Sequence, residues 1–272
     1  MAFFRRSNAR GTGPRLRSLD LLAFLLPLYI LLPLIALPLA TTPRAFVEHL
    51  VSEQSLQALL LTMRTTLLAT AICILLGTPL AYVLARRSFP GRELVDTCID
   101  LPIAIPPVVG GVALLLAFGR RGLLGSALDV WGVQIPFTWI AVVMAQVFIA
   151  SPFYVKTARA GFETVSPLHE DVAGTLGASP WRVFFTVTIP LARPALIAGT
   201  VLAWARALSE FGATIMFAGN FPGRTQTLSL AVMSAMESDL DTAIAISLVS
   251  IVLAFLALIA AKRYARSRHV LL

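Results

Sequence analysis

Long runs of apolar residues, separated by short segments that hold the charges, dominate this chain. A helix needs about 20 mostly apolar residues to cross about 30 Å of hydrocarbon. Five runs come close to or meet this length without a charge, and a sixth is interrupted by Arg193, Arg206 and Glu210. The pattern predicts an all-α membrane protein with six transmembrane helices, at about 21–40, 62–85, 99–118, 133–156, 191–212 and 241–261.

Composition and charge agree with a lipid environment. Hydrophobic residues make up 57% of the chain and charged residues only 13%, whereas soluble domains carry about 25% charged residues. The net charge of +8 comes from basic residues clustered beside the apolar runs, a pattern typical of topology signals rather than of nucleic-acid binding.

The distribution of Lys and Arg predicts the orientation. If the N-terminus lies inside, the inner segments hold 16 basic residues and the outer segments five. Basic residues favour the cytoplasmic side, so we expect a cytoplasmic basic tail at 1–20, a transmembrane domain at 21–261 and a cytoplasmic tail at 262–272. The first apolar run is longer than a usual signal core, and we interpret it as a retained span.

The longest inner segment, a loop at about 163–190, carries helix signals. Ser166-Pro167 and Ser179-Pro180 each pair a serine N-cap with proline at the first helical position. Gly177 can end the first of these helices. We therefore predict two short helices joined at a tight bend, placed between the fourth and fifth spans.

The first of these helices has an apolar face formed by Leu168, Val172 and Leu176. A helix that lies on a membrane surface usually carries Lys and Arg on its polar face, but this one carries Glu170 and Asp171. A groove on a partner protein is therefore favoured over a lipid surface, although packing against its own bundle stays open.

The same loop resembles a motif of ABC importer permeases, which reads E-A-A, three residues, G, nine residues, I-x-L-P. Here it reads Asp171-Val172-Ala173, then Gly177, then Val187-Thr188-Ile189-Pro190, with conservative departures at four positions. The resemblance implies coupling helices that dock into a cleft of a cytoplasmic ATPase subunit. It places that role on Asp171, Ala173, Gly177 and Pro190, and we add Glu170 and Arg182 as charged residues of the same loop.

Other segments resemble molybdate permeases in particular. They are Leu101-Pro102 to Gly110-Gly111, Gly122 to Gly125, Ala205 to Thr214, Gly219-Asn220 and Pro222-Gly223. Sulfate permeases share much of this, but Ala213-Thr214 after the Glu-Phe-Gly unit favours molybdate or tungstate. The resemblance covers roughly residues 55–260.

The resemblance implies an importer in a prokaryotic plasma membrane. Its expected partners are two copies of an ATPase, an extracytoplasmic oxyanion-binding protein and a second copy of this chain. The only lysines, Lys156 and Lys262, lie outside any P-loop pattern. We thus expect no enzyme activity and no bound cofactor here, with ATP and Mg used by the partner subunit. A sulfate or thiosulfate permease is the alternative, followed by an ion-coupled secondary transporter.

The ionisable pair in the fifth apolar run is the candidate translocation path. Arg206 and Glu210 are four residues apart, so we expect them to share one helix face. Charged residues in spans usually face a bundle interior or a water-filled path. Either Arg206 offsets the charge of an anion, with Thr214, Asn220 and Arg224 at the outer mouth, or the pair is a structural one that neutralises itself.

Three further expectations come from the pattern. Residues 228–236 are apolar but too short to span, which predicts an interfacial or re-entrant outer helix. His49, His169 and His269 lie on different loops without ligand spacing, so no metal site is expected. Cys73 and Cys98 are interpreted as small side chains without a metal or redox role.

Overall fold

A computed structural model describes residues 17–266, with side chains for 23–260. The basic N-terminal tail up to residue 16 and His269 in the C-terminal tail lie outside the described residues. Thirteen α-helices lie within the described range. They are α1 (Arg17–Leu39), α2 (Pro43–Leu50), α3 (Glu53–Arg86), α4 (Arg92–Ala104), α5 (Pro107–Phe118), α6 (Gly125–Val130), α7 (Trp139–Thr164), α8 (Pro167–Thr175), α9 (Pro180–Val183), α10 (Ile189–Leu208), α11 (Gly212–Ala218), α12 (Leu228–Ser238) and α13 (Leu240–Arg266).

The fold class predicted from the sequence is confirmed. Residues 17–266 contain helices and no strand. Four helical segments are long and apolar enough to cross a membrane, or up to six if two bent helix pairs each count as one span. The contacts divide the chain after Thr42. The first unit contains α1, an apolar helix of 23 residues with three internal prolines.

The core of the second unit is the packing of α3, α7 and α10. Small residues let these helices approach closely, as is usual where lipid removes the hydrophobic drive for association. A Cβ atom added to Gly77 of α3 would lie 2.8 Å from the ring of Tyr154 on α7, and one on Gly199 of α10 would lie 3.3 Å from the Tyr154 carbonyl oxygen. The Tyr154 hydroxyl is 2.6 Å from that of Thr78.

The third predicted span, 99–118, is broken. Helices α4 and α5 meet at 118° around Ile105 and Pro106. The residue before a proline avoids the helical region, and Ile105 is extended at φ −86° and ψ 146°. Because Pro106 and Pro107 are consecutive, the chain cannot continue as one helix, and Pro107 instead begins α5. Two ion pairs join α4 to α7, between Asp100 and Lys156 at 2.8 Å and between Asp96 and Arg159 at 2.7 Å.

The second helix of the loop at 163–190 differs from the prediction. Helix α9 has four residues and continues through a π-helical turn, Phe184–Thr188, into α10. The Ile189 N–H donates to the Phe184 carbonyl, five residues back. Pro190 has no N–H to offer an α-helical ladder, and a π-turn accommodates this defect. Within this loop, α8 is therefore the one separate short helix. Helix α9, the π-turn and α10 form one continuous helical segment from Pro180 to Leu208.

Candidate coupling surface and charged sites

Helix α8 begins and ends at the predicted residues, although the Ser166 side chain makes no capping hydrogen bond. Ser166 precedes Pro167 at the first helical position. At the other end Gly177 has φ +87°, a left-handed conformation that favours glycine. The turn lets Ala178 N–H donate to the Ala173 carbonyl at 3.1 Å. Gly177 thus ends the helix and reverses the chain towards α9.

Glu170 ties α8 to the end of α3. Its Oε1 accepts hydrogen bonds from Arg86 Nε at 3.1 Å and Nη2 at 2.9 Å, and from Thr188 Oγ1 at 2.9 Å. Its Oε2 accepts from the Tyr82 hydroxyl at 3.3 Å. Arg86 Nη2 also donates to the Val165 carbonyl at 2.7 Å. We call Glu170, Arg86, Tyr82 and Thr188 the loop anchor.

The loop anchor is largely shielded from solvent. The side chains of Arg86 and Glu170 are only 13% and 15% exposed. The Tyr82 ring makes edge contacts with Phe162 of α7 and Phe184 of the π-turn, at centroid distances of 5.5 and 4.9 Å. Charge-assisted bonds in such a setting are stronger than neutral ones. The anchor therefore fixes α8 relative to the spans α3 and α7.

An apolar surface remains exposed on the loop outside the anchor. Its large side chains are well exposed: Leu168 66%, Val172 50%, Leu176 83%, Trp181 73% and Phe185 59%. Trp181 stacks on Phe185 with ring centroids 6.1 Å apart. Beside them lies a groove of about 340 Å³, whose lining includes Trp181 and Phe184 together with Arg87 at the end of α3. We call these five exposed side chains the loop surface.

The six residues that the sequence assigned to coupling do not form one group. Asp171, Gly177 and Arg182 are exposed beside the loop surface. Ala173 is partly buried, and Pro190 lies in the first turn of α10. Glu170 instead points into the loop anchor. Its partners Arg86, Tyr82 and Thr188 were missed, because Arg86 is 84 positions away in the chain and no local spacing relates the two.

Arg206 and Glu210 form an ion pair, but not along one helix. Arg206 Nη2 lies 3.0 Å from Glu210 Oε2, yet α10 ends at Leu208. Glu210 is in the turn that follows, with a fully buried side chain. Its Oε1 accepts from the Ala213 N–H at 2.7 Å, at the start of α11. The carboxylate thus joins the last turn of α10 to the first turn of α11.

Thr214 and Asn220 lie in different surroundings. The Thr214 hydroxyl in α11 is buried, and the described residues offer it no hydrogen-bond partner. Asn220 Nδ2 donates to Ser234 Oγ at 2.8 Å, and its Oδ1 accepts from Gln226 Nε2 at 3.0 Å. Gln226 Oε1 in turn accepts from Gln54 Nε2 of α3 at 3.0 Å. Asn220 therefore helps to fix the loop between α11 and α12.

The structure brings together one set of possible metal ligands in the part of the chain that it describes. A ring nitrogen of His49 and carboxylate oxygens of Asp239 and Asp241 lie within 4.8 Å of one another. Hydrogen bonds explain this arrangement, because Asp239 Oδ1 accepts from the Asp241 N–H at 3.1 Å and Oδ2 accepts from the Thr242 hydroxyl. The Thr242 bond is the main reason why the pKa of Asp239 lies below its ordinary value. Asp239 serves as a cap of α13 next to the end of α2.

Taken together, the apolar helices and the largely shielded ion pairs between them are typical of a helical membrane protein with several spans. The chain belongs to the family of binding-protein-dependent transport system inner membrane components, which matches residues 74–270. This membership confirms the assignment to ABC importer permeases made from the sequence.

Relatives at substantial identity carry transport names. The chain is 42% identical over 228 residues to the molybdenum transport system permease protein ModB of Mycobacterium tuberculosis, which covers 84% of this chain and 86% of the relative. It is 40% identical over 220 residues to the Escherichia coli protein of the same name, with 80% and 96% covered. The sulfate transport system permease protein CysT of Escherichia coli is 34% identical over 230 residues, with 84% and 83% covered.

Solved structures share the fold. A bacterial ABC transporter involved in the import of the acidic polysaccharide alginate aligns with a TM-score of 0.72 at 19% identity, covering 93% of this chain and 96% of that one. The MetNI methionine ABC transporter aligns at 0.57 and 16% identity, covering 80% and 99%. The overall architecture is therefore that of an ABC transporter membrane subunit.

Proposed function

We propose that this chain is the permease subunit through which an ABC importer moves molybdate or tungstate into the cell. Several relatives at 40–42% identity are named as molybdenum permeases, while the sulfate relative stands at 34%. The observation that carries the mechanism is the loop surface, a set of exposed apolar side chains held to the spans by the largely shielded loop anchor. Such a surface suits the transmission of force between subunits.

The partner on the loop surface is the cytoplasmic ATPase subunit, in two copies that hydrolyse ATP with Mg. Exposed apolar side chains of this number favour burial against another protein, and an aromatic residue such as Trp181 is a typical interface anchor. Asp171 and Arg182 supply charges at the rim. Because α8 is fixed by the anchor, a displacement of the loop surface moves the inner ends of α3 and α10.

The remaining assembly follows from the same assignment. Both termini face the cytoplasm, in line with the excess of Lys and Arg in the inner segments. Two copies of the chain form one pathway, and an extracytoplasmic oxyanion-binding protein delivers the anion to its outer end. Arg206, Glu210, Thr214 and Asn220 lie near that pathway, with the ion pair as a structural element of its wall.

The substrate assignment is tested with the assembled importer in liposomes. ATP turnover is measured with the binding protein loaded with molybdate, tungstate or sulfate. Stimulation by molybdate and tungstate with little response to sulfate is expected. Stimulation of ATP turnover by sulfate alone would instead assign the chain to the sulfate permeases. Equal ATP turnover with and without any loaded binding protein would argue against the importer assignment altogether.

The ATPase contact is tested with a single truncation. Trp181→Ala should weaken co-purification of the ATPase subunit at least roughly tenfold, since truncation of an interface anchor typically costs about 2 kcal/mol or more. Trp131→Ala is the matched control, because Trp131 is 81% exposed but lies in the segment between α6 and α7. Equal loss in both variants, or in neither, would exclude the loop surface as the ATPase site.

A further inference from the structure

A pocket lined by two arginines lies away from the loop surface and its groove. It has a volume of about 610 Å³ and is bounded by α3, the first residues of α7 and the loop between α11 and α12. Arg64 of α3 and Arg224 of the loop both line it. Both residues are exposed, and neither side chain has an ion-pair or hydrogen-bond partner among the described residues. Two unpaired guanidinium groups at one pocket favour an anion with several oxygens, which planar N–H donors hold in pairs.

The depth of the pocket follows from the register of the helices. Cys73 Sγ of α3 lies 4.0 Å from the Val147 carbonyl oxygen of α7, so these residues share one level. Arg64 is nine residues before Cys73, and Trp139 is eight residues before Val147. Arg64 and Trp139 therefore lie at nearly the same level, nearer the starts of the two helices. Arg86 of the loop anchor lies 22 residues beyond Arg64, or roughly 33 Å along the helix. The pocket is therefore one hydrocarbon thickness away from the anchor.

A bilayer whose hydrocarbon covers the stretch of α3 between the loop anchor and the pocket would place its head groups at the level of the pocket. Trp139 is 51% exposed on its wall, and tryptophan is enriched at this level of membrane proteins. The remaining wall combines the apolar side chains of Leu61, Leu68 and Ile140 with Thr65 and Thr138. Leu68 lies one helical turn from Arg64 in the direction of the hydrocarbon.

We propose that this pocket binds a membrane phospholipid, with its phosphate held between Arg64 and Arg224 and an acyl chain along Leu68 and Ile140. A free oxyanion would satisfy the two arginines equally well. It would leave the apolar wall without a partner, and Leu67 and Leu75 of the same helix are exposed as well. A phospholipid matches both the charge and the apolar part.

The experiment uses the purified full chain in a mild detergent and native mass spectrometry. Phosphatidylglycerol, a diacylglycerol without phosphate, and free molybdate or inorganic phosphate are titrated separately. Wild type should retain phosphatidylglycerol but neither of the other two classes. Arg64→Gln and Arg224→Gln should each weaken phosphatidylglycerol binding roughly tenfold, the effect of losing charge-assisted hydrogen bonds. Arg121→Gln, a change at an exposed arginine outside the pocket, should bind like wild type.

Three results would overturn the proposal. Equal retention of phosphatidylglycerol by wild type and both pocket variants would show that the arginines do not hold the lipid. Equal retention of diacylglycerol would show that the phosphate plays no part. Arginine-dependent binding of free molybdate or phosphate, without such binding of the lipid, would assign the pocket to a soluble anion. If Arg64→Gln fails to fold, Arg224→Gln on the exposed loop gives the same readout.

Discussion

The substitution Glu170→Gln tests whether the loop anchor holds α8 in place. It leaves the side chains of the loop surface, which would contact the ATPase, unchanged. The substitution keeps the shape of the side chain and an oxygen that can accept from Thr188. It removes the negative charge that faces Arg86, whose guanidinium donates to Glu170 Oε1 at 3.1 and 2.9 Å. Arg86 then remains at a largely shielded site without a charged partner, although its Nη2 still donates to the Val165 carbonyl. We expect α8 to detach from α3 more often than in wild type.

The size of this effect follows from the burial of the pair. Breaking a fully buried ion pair by removing one partner costs about 3–5 kcal/mol, and a hydrogen bond to a charged group contributes about 1.5–3 kcal/mol. Since the two side chains retain 13% and 15% exposure, water can partly solvate the remaining Arg86. A local destabilisation of about 2–3 kcal/mol is therefore expected. This corresponds to roughly 30- to 150-fold more frequent opening of α8.

Hydrogen exchange of the backbone amides in α8 measures this opening directly. In the same preparation, ATP turnover per anion transported should rise, because the ATPase no longer moves a fixed loop. Asp171→Asn is the matched control, since Asp171 is exposed on the same helix and the anchor does not use it. Its exchange should stay at the wild-type rate.

The double variant Arg86→Gln with Glu170→Gln provides the decisive comparison. It removes both charges, so no uncompensated charge remains, and it should open less often than Glu170→Gln alone. Wild-type exchange in Glu170→Gln, or additive effects in the double variant, would refute the role of the ion pair.

Further predictions concern stability elsewhere. Gly111→Ala should lower the free energy of unfolding by about 1–3 kcal/mol, because the new Cβ would lie 2.7 Å from the Ala213 carbonyl oxygen. The thermal midpoint should fall accordingly, and an unchanged midpoint would contradict this close approach. Gly174→Ala in α8 should instead stabilise by up to about 0.5 kcal/mol, since nothing lies within 4 Å of its Cβ position. Asp239→Asn should destabilise at neutral pH, where the lowered pKa keeps the carboxylate charged and bonded to Thr242. The difference in stability between Asp239→Asn and wild type should disappear as the pH falls through the lowered pKa of Asp239, which lies below the ordinary value of about 3.9. Calorimetry of both proteins over that pH range measures this difference.

The apolar runs and the helix signals allowed most elements to be predicted from the sequence. Hydrocarbon thickness fixes the length of a span, and the run of 242–261 reappears within α13. Ser166, Pro167 and Gly177 bound α8 because each acts within one turn of the chain. The apolar stretch at 228–236 forms α12, whose Leu228, Leu230, Ala231 and Ala235 are buried. Such local rules need no knowledge of neighbouring helices.

Breaks within spans were harder to predict, because hydropathy reports burial in lipid and not the path of the backbone. The run of 101–118 is equally apolar on both sides of Pro106, although α4 and α5 meet at 118°. The π-turn before Pro190 is another case, since it depends on how the chain closes its hydrogen bonds around the proline. The loop anchor was beyond local reasoning for a different reason, namely that the partner of Glu170 is on another span.

The ion pair of Arg206 and Glu210 shows how one spacing can support two structures. Four positions on a helix would place both charges on one face, where a passing anion could compete for Arg206. The structure instead ends α10 at Leu208 and places the Glu210 carboxylate at the start of α11. A cation in the last turn of one helix and an anion at the first turn of the next are each stabilised by the helix dipoles. An oxyanion that recruited Arg206 would have to displace a buried carboxylate that also binds the Ala213 N–H. The geometry thus favours a structural ion pair that connects α10 to α11, and it disfavours Arg206 as a direct ligand of the anion.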